Sequence, residues 1–194
     1  MCGIVGVWGE NRRSTVREMA DRIIHRGPDD FGSLSIQGVG TVAHRRLSIM
    51  DPAGGRQPIQ HPNEPISIIA NGEIYNYPHL KVDLSQRCQF ETESDTESAL
   101  HLYQQTGVKT AEQLDGMFAF AITDGDDLYL ARDSIGIKPL YLGKKNDDLV
   151  FASELKAFSD NITDVKEFPP GTWFHTRHGL SLIHISEPTR RRLE

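Results

Sequence analysis

Cysteine is scarce in this chain of 194 residues, with only Cys2 and Cys88 present. Two thiols cannot staple a chain of this size, so a disulfide framework is excluded and a reducing, cytoplasmic setting is expected. Long apolar runs are missing as well. Nothing approaches the roughly 18 consecutive apolar residues of a membrane-spanning helix, and residues 1–8 have neither the length nor the charged start of a secretory signal. Positive charge is not in excess, because the net charge is −6. A nucleic-acid footprint needs a clustered basic face, so neither nucleic acid nor membrane is an expected partner. The 8 histidines are dispersed, with no H-x-x-x-H or C-x-x-C pair, and no metal site is expected. Internal repeats, low-complexity stretches and a βαβ rhythm are absent too.

What remains is an ordinary globular composition, 38% hydrophobic and 25% charged. The length fits one domain with a substantial core. Residues 2–8 read as a buried strand. Over 14–25, Val16, Met19, Ala20, Ile23 and Ile24 form one apolar stripe at helical spacing, ended by Gly27-Pro28. Residues 31–37 and 39–50 read as a hairpin around Gly38, and 51–65 as a Pro/Gly-rich loop wrapped on the body. A strand over 65–70 is expected to end at the Asn71-Gly72 turn signal. Pro78 opens a short helix carrying Leu80 and Leu84. Ser94-Asp95-Thr96-Glu97 matches a capping box, predicting a helix over 95–106 that stops at Gly107. Residues 116–123 are apolar on both faces, as in a strand between stacked layers. Strands follow at 128–132, 139–143 and 149–153, then a short helix at 154–159. Four helices and about eight strands predict an α+β class, with two stacked sheets between helical layers.

Six places carry possible chemistry. Cys2 follows the initiator methionine and is small, so trimming would place a thiol and an α-amino group on one residue. That is a nucleophile arriving with its own base. On residues 1–8 alone, a strand with a small apolar cysteine is the simpler reading. Asn71-Gly72 is either a plain turn or an oxyanion hole made of a side-chain amide and a backbone N–H. Arg45-Arg46 lies in a strand-like segment, on a wet face or as a bidentate carboxylate anchor. Asp95, in the first turn of its helix, complements the dipole or faces a substrate ammonium. The loops at 25–29 and 132–141, dense in charge with Gly and Pro, hold architecture or serve a site; for the second, architecture is preferred.

Together these residues closely resemble the glutaminase domain of glutamine-dependent asparagine synthetases, a class II glutamine amidotransferase of the N-terminal nucleophile hydrolase superfamily. The resemblance rests on Met-Cys-Gly-Ile at 1–4, His-Arg-Gly-Pro-Asp at 25–29, Ala-His-Arg-Arg-Leu-Ser-Ile at 43–49 and Asn-Gly-Glu-Ile-Tyr-Asn at 71–76. It continues through Ser-Asp-Thr-Glu at 94–97, Gly-Met-Phe-Ala-Phe-Ala at 116–121, Arg-Asp-x-x-Gly-x-Lys-Pro-Leu-Tyr at 132–141 and Ser-Glu-x-Lys-Ala at 153–157. Each motif is weak, but the ordered set is specific. The resemblance implies a four-layer αββα sandwich. It implies Cys2 as nucleophile on the glutamine side-chain amide, Asn71 and Gly72 as oxyanion hole and Arg46 as carboxylate anchor. Glu73 and Asp95 are implied as ammonium anchors, and the backbone near Ile49 and Met50 as pocket wall. Cofactors are implied to be none for this domain, with ATP and magnesium belonging to a synthetase domain that would receive the ammonia. No Ser-Gly-Gly-x-Asp-Ser loop of that second domain occurs here. A homodimer is implied for the full-length protein. Alternatives are a glutaminase domain of another class II amidotransferase, or an inactive truncated fragment acting as a binding module. The amidotransferase domain is expected over 1–179. Residues 180–190 resemble a translated sequencing-library adapter, so 180–194, including the triple arginine, is expected to be a non-native tail.

Overall fold

The β-branched and aromatic runs pair into two six-stranded antiparallel sheets. The computed structural model describes residues 1–10, 12–48 and 55–183. The first sheet contains β1 (Gly3–Trp8), β2 (Asp30–Ile36), β3 (Gly40–Arg46), β8 (Tyr141–Lys145), β9 (Asp148–Ala152) and β10 (Thr163–Glu167). Its order is β10-β8-β9-β1-β3-β2. The second contains β4 (Ile59–Gln60), β5 (Ile66–Ile74), β6 (Gly116–Asp124), β7 (Asp127–Arg132), β11 (Thr172–His175) and β12 (Gly179–Leu182), in the order β12-β11-β7-β6-β5-β4. Helix α1 (Arg13–Arg22) covers the first sheet. Helix α3 (Asp95–Thr106) covers the second, with α2 (Tyr77–Leu84) beside it.

The period of two along each strand divides the core into three slabs. Ile4, Trp8, Val42, Ile69, Ala119, Ala121, Leu128 and Leu130 meet between the sheets. Val5, Val7 and Ala43 turn the other way, onto Val16, Met19, Ala20 and Ile23 of the α1 segment. Phe118, Phe120, Ile122 and Tyr129 pack against Ala99, Leu100 and Tyr103 of α3. Helix, sheet, sheet and helix make the α+β four-layer sandwich expected from the sequence.

Several elements differ from expectation. The strand expected to stop at residue 70 runs on to Ile74, because β5 pairs with β6 without interruption from Ile66↔Asp124 to Ile74↔Gly116. Asn71-Gly72 is therefore strand, not turn. α3 has the expected bounds and ends at Gly107 with φ 56°, but the Ser94 side chain makes no cap bond. Glu97 instead accepts the backbone N–H groups of Glu91 and Thr92, both at 2.7 Å, and faces His101 at 3.2 Å. The helix over 14–25 stops at Arg22 and passes into a single 3-10 turn, Ile24–Arg26. The helix over 154–159 shrinks to the 3-10 turn Leu155–Ala157. The short strands β4, β10, β11 and β12 bring the total to twelve among the described residues. β12 begins where the natural sequence was expected to end; it pairs with β11 from Thr172↔Leu182 to His175↔Gly179.

Candidate active site

One end of the inter-sheet slab lacks apolar filling, and the polar residues of the sequence analysis gather there. Cys2 extends β1 by one residue and keeps the parity of Ile4. Arg46 ends β3 in step with Val42, and Asn71 and Glu73 follow Ile69 along β5. All four positions thus fall on the strand faces that look between the sheets. Cys2, Arg46, Asn71, Gly72, Glu73 and Asp95 line a single cavity of about 110 Å³, with Met1, Gln57 and Lys138 also in its wall. Ile49 and Met50, expected as pocket wall, lie outside the described residues.

The edge of β5 explains how a strand can present an oxyanion site. Backbone N–H groups of alternate residues point to opposite edges of an antiparallel strand. The N–H of Ala70 donates to Gln57 Oε1 at 2.6 Å, and that of Ile74 donates to Asp95 Oδ2 at 2.6 Å. β4 has already ended opposite Ile68. Gly72 lies between these two residues, so its N–H points into the cavity. Glycine is required here for close approach: a Cβ on Gly72 would run into the Met117 carbonyl of β6.

Asn71 is 2% exposed. With its amide turned to the orientation its neighbours require, Nδ2 donates to the Cys2 carbonyl at 3.2 Å and Oδ1 accepts from Arg26 Nη2 at 3.2 Å. Arg26 Nε also donates to the Cys2 carbonyl at 2.8 Å, and its Nη1 reaches Glu154 Oε1 at 2.8 Å. Arg26 and Asn71 thus hold the backbone that carries the thiol from two sides. The Cys2 thiol itself is 3.7 Å from the Leu47 carbonyl.

Arg26 joins the site from the loop at 25–29, whose role the sequence alone leaves open. Its signal was present: a cation flanked by Gly27-Pro28, where the chain cannot stay helical. A Cβ on Gly27 would strike the backbone of Arg45 and Arg46. The loop therefore lies directly on β3, where Asp29 N–H donates to the Arg46 carbonyl at 3.0 Å and Asp29 Oδ2 accepts from Ser48 N–H at 2.8 Å. The same contacts fix the end of β3 and hence Arg46, which is 5% exposed.

Asp95 joins the two anchoring elements. One oxygen takes the Ile74 N–H and the other the Thr96 N–H at 2.9 Å, so α3 is pinned to β5 beside Glu73. Burial pushes the Asp95 carboxyl up from its ordinary range, and the Glu73 charge adds to this against the backbone hydrogen bonds. A carboxylate so placed gains from a cation entering the cavity. The loop at 132–141 is braced by its own hydrogen bonds, in line with an architectural role, while its Lys138 also lines the cavity. Asp133 accepts the N–H groups of Phe118, Ile135, Ile137 and Lys138, and Arg132 donates to the carbonyls of Gly136, Lys138 and Phe168. Among the described residues no group of three or more His, Cys, Asp or Glu side chains is placed to hold a metal ion.

A thiol, an amide and N–H pair, a buried arginine and two carboxylates on one cavity suit an amide substrate carrying an α-carboxylate and an α-ammonium. Residues 1–170 match the family described as a glutamine amidotransferase domain. The chain belongs to that family. This amidotransferase domain is 42% identical over 187 residues to glutamine-hydrolysing asparagine synthetase 3 of Arabidopsis thaliana, covering 92% of this chain and 32% of that protein. Identity to the glutamine-hydrolysing asparagine synthetase of Zea mays is 41%, with the same coverage of 92% and 32%. It thus spans about a third of the length of these curated relatives. Among solved structures, the glutamine phosphoribosylpyrophosphate amidotransferase of Bacillus subtilis, complexed with ADP and GMP, superposes with a TM-score of 0.80. That match has 25% identity and covers 96% of this chain and 50% of the other. The amidotransferase domain is of class II, with an N-terminal nucleophile hydrolase fold.

Proposed function

We propose that this chain hydrolyses glutamine to glutamate and ammonia through a thioester on Cys2, once Met1 has been removed. The observation that carries the reading is the convergence of Cys2, Asn71, Gly72, Arg46, Glu73 and Asp95 on one cavity. Arg46 takes the substrate carboxylate, and Glu73 with Asp95 take its ammonium, which aims the side-chain amide at Cys2. The thiolate attacks the amide carbon, and the developing oxyanion accepts from Asn71 Nδ2 and the Gly72 N–H. The α-amino group of Cys2 takes the thiol proton and delivers it to the departing nitrogen. Ammonia leaves, and water then cleaves the thioester to glutamate and restores the thiol. While Met1 remains, Cys2 nitrogen is an amide and has no proton-carrying role.

The higher identity to asparagine synthetases than to the phosphoribosylpyrophosphate enzyme supports ammonia supply to an ATP-dependent, magnesium-requiring asparagine-forming portion. No cofactor is needed for the glutaminase step as written. The two free cysteines, Cys2 and Cys88, fit a reducing cytoplasmic setting. Glutamate release from glutamine by the purified chain, with Cys2→Ala as control, tests the reading. Release by the parent alone supports it, and equal rates in both chains contradict it.

A further inference from the structure

Ala70, the residue before the oxyanion pair, is held by two side chains from outside its own strand. On the exposed edge of β5, beyond the end of β4, both of its backbone groups would lack a strand partner. Gln57 Oε1 accepts its N–H at 2.6 Å, and His44 Nε2 contacts its carbonyl at 3.0 Å. A carbonyl only accepts, so His44 Nε2 carries the proton and donates. His44 is 1% exposed and its Nδ1 has no partner among the described residues. A second ring proton would be a buried donor without an acceptor, so the ring is neutral, in keeping with a pKa lowered by burial to about 4.

The His44 side chain reaches across the gap between the sheets. Gln57, two residues before β4, spans it with its side chain on Ala70 and its backbone on the other sheet. His44 belongs to β3, two residues before Arg46, in the sheet that carries Cys2. Gln57 rests its backbone carbonyl against Gly32 of β2, in the same sheet, where a Cβ would collide with it. The nucleophile and the carboxylate anchor are on one sheet and the oxyanion donors on the other. Their separation is set by the contacts of Asn71 to the Cys2 carbonyl and Arg26, and one residue away by the two contacts that converge on Ala70.

We propose that His44 and Gln57 are a pair of positioning residues that hold Asn71 and Gly72 at the height of the Cys2 thiol by fixing the two backbone groups of Ala70 between the sheets. The inference rests on the glutaminase reading above. Neither residue touches the reacting atoms; each acts through the strand that carries the donors. Loosening the pair moves the oxyanion site relative to the thiol and leaves Arg46, held by the Asp29 loop, in place.

The test is a set of variants of the chain with Cys2 as first residue: Gln57→Leu, His44→Leu, His44→Gln, Asn71→Ala and the double variant Gln57→Leu with Asn71→Ala. Steady-state glutamine hydrolysis is measured beside alkylation of the Cys2 thiol by iodoacetamide, which needs no oxyanion donor. Gln57→Leu should lower kcat by about 10-fold or more, part of what loss of a whole donor costs, while the alkylation rate stays within about 3-fold. The double variant should lose less than the product of the two single losses, because the part of the Gln57 effect that acts through Asn71 is already gone while the part through Gly72 remains. His44→Gln keeps a donor and should keep more of kcat than His44→Leu. An unchanged kcat in Gln57→Leu, or multiplicative losses in the double variant, would overturn the proposal. So would loss of the circular dichroism of the folded chain in Gln57→Leu, because that makes Gln57 a structural residue. A parent chain that releases no glutamate defeats the glutaminase itself, which is distinct from an active parent with an equally active Gln57→Leu.

Discussion

Arg26 Nε donates to the carbonyl oxygen of Cys2 at 2.8 Å, so a buried arginine 24 residues downstream holds the backbone of the proposed nucleophile. Asn71 reaches the same oxygen from the opposite sheet. The thiol is thus positioned through its main chain, leaving its side chain free to react.

Arg26→Ala removes that hold and leaves Glu154 without its closer cation. A misplacement of the nucleophile by about 1 Å should lower kcat by about 10²-fold. The loss of charged hydrogen bonds should cost about 2 kcal/mol of unfolding free energy in urea titration. An unaltered kcat would show that Arg26 serves stability alone.

Arg46→Ala is expected to act on binding. It leaves the substrate carboxylate unpaired in a buried place, a cost of about 2–5 kcal/mol read mainly as a rise in KM for glutamine. An unchanged KM removes Arg46 from the carboxylate role.

His44 gives a pH signature to stability. Its ordinary pKa of 6.5 falls to about 4 in the folded chain, because burial disfavours the charged ring and Arg46 adds to this, against the Ala70 carbonyl and Asp30. Above about pH 6.5 both folded and unfolded states hold neutral rings and nothing is contributed. Below it the unfolded state takes up the proton first, so stability falls between about pH 6.5 and 4, by about 3 kcal/mol in all. His44→Gln should flatten that part of the profile in denaturant titrations run across the range. A parent chain equally stable at pH 4.5 and 7 would contradict it.

Gly72→Ala should be costly for a local reason. The added methyl meets the Met117 backbone carbonyl, which cannot rotate away. We expect a loss of about 1–3 kcal/mol, typical of overpacking, together with a lower kcat as the N–H shifts. Urea titration and steady-state kinetics check both, and a variant matching the parent in each would contradict the close approach.

The sequence made the layers legible because the elements that build them obey simple periods. The α1 stripe and the all-apolar 116–123 strand needed nothing else, and α3 kept its predicted bounds of 95 and 106. Asn71-Gly72 misled because a turn dipeptide sat in a strand that nine paired residues keep straight; tertiary pairing overrides a local preference. Glu97 misled in a similar way: the spacing of a capping box was right, but Glu97 is 1% exposed and spends its oxygens on residues 91 and 92 and on His101. The strands β4, β10, β11 and β12 are two to five residues long, too short for alternation to register. Cys2, Asn71, Gly72, Arg46 and Asp95 could be named from their motifs. The roles of Arg26, His44 and Gln57 could not, since each depends on a backbone atom brought close only by the stacking of two sheets.

The most direct test is an intact mass and peptide map after incubation with a diazoketone analogue of glutamine, which alkylates the thiol that the substrate amide would meet. One adduct per chain is expected, on Cys2 of a chain whose Met1 is gone, with glutamate release lost in proportion to labelling. Labelling on Cys88, or glutamate release that persists when Cys2 is fully labelled, would contradict it.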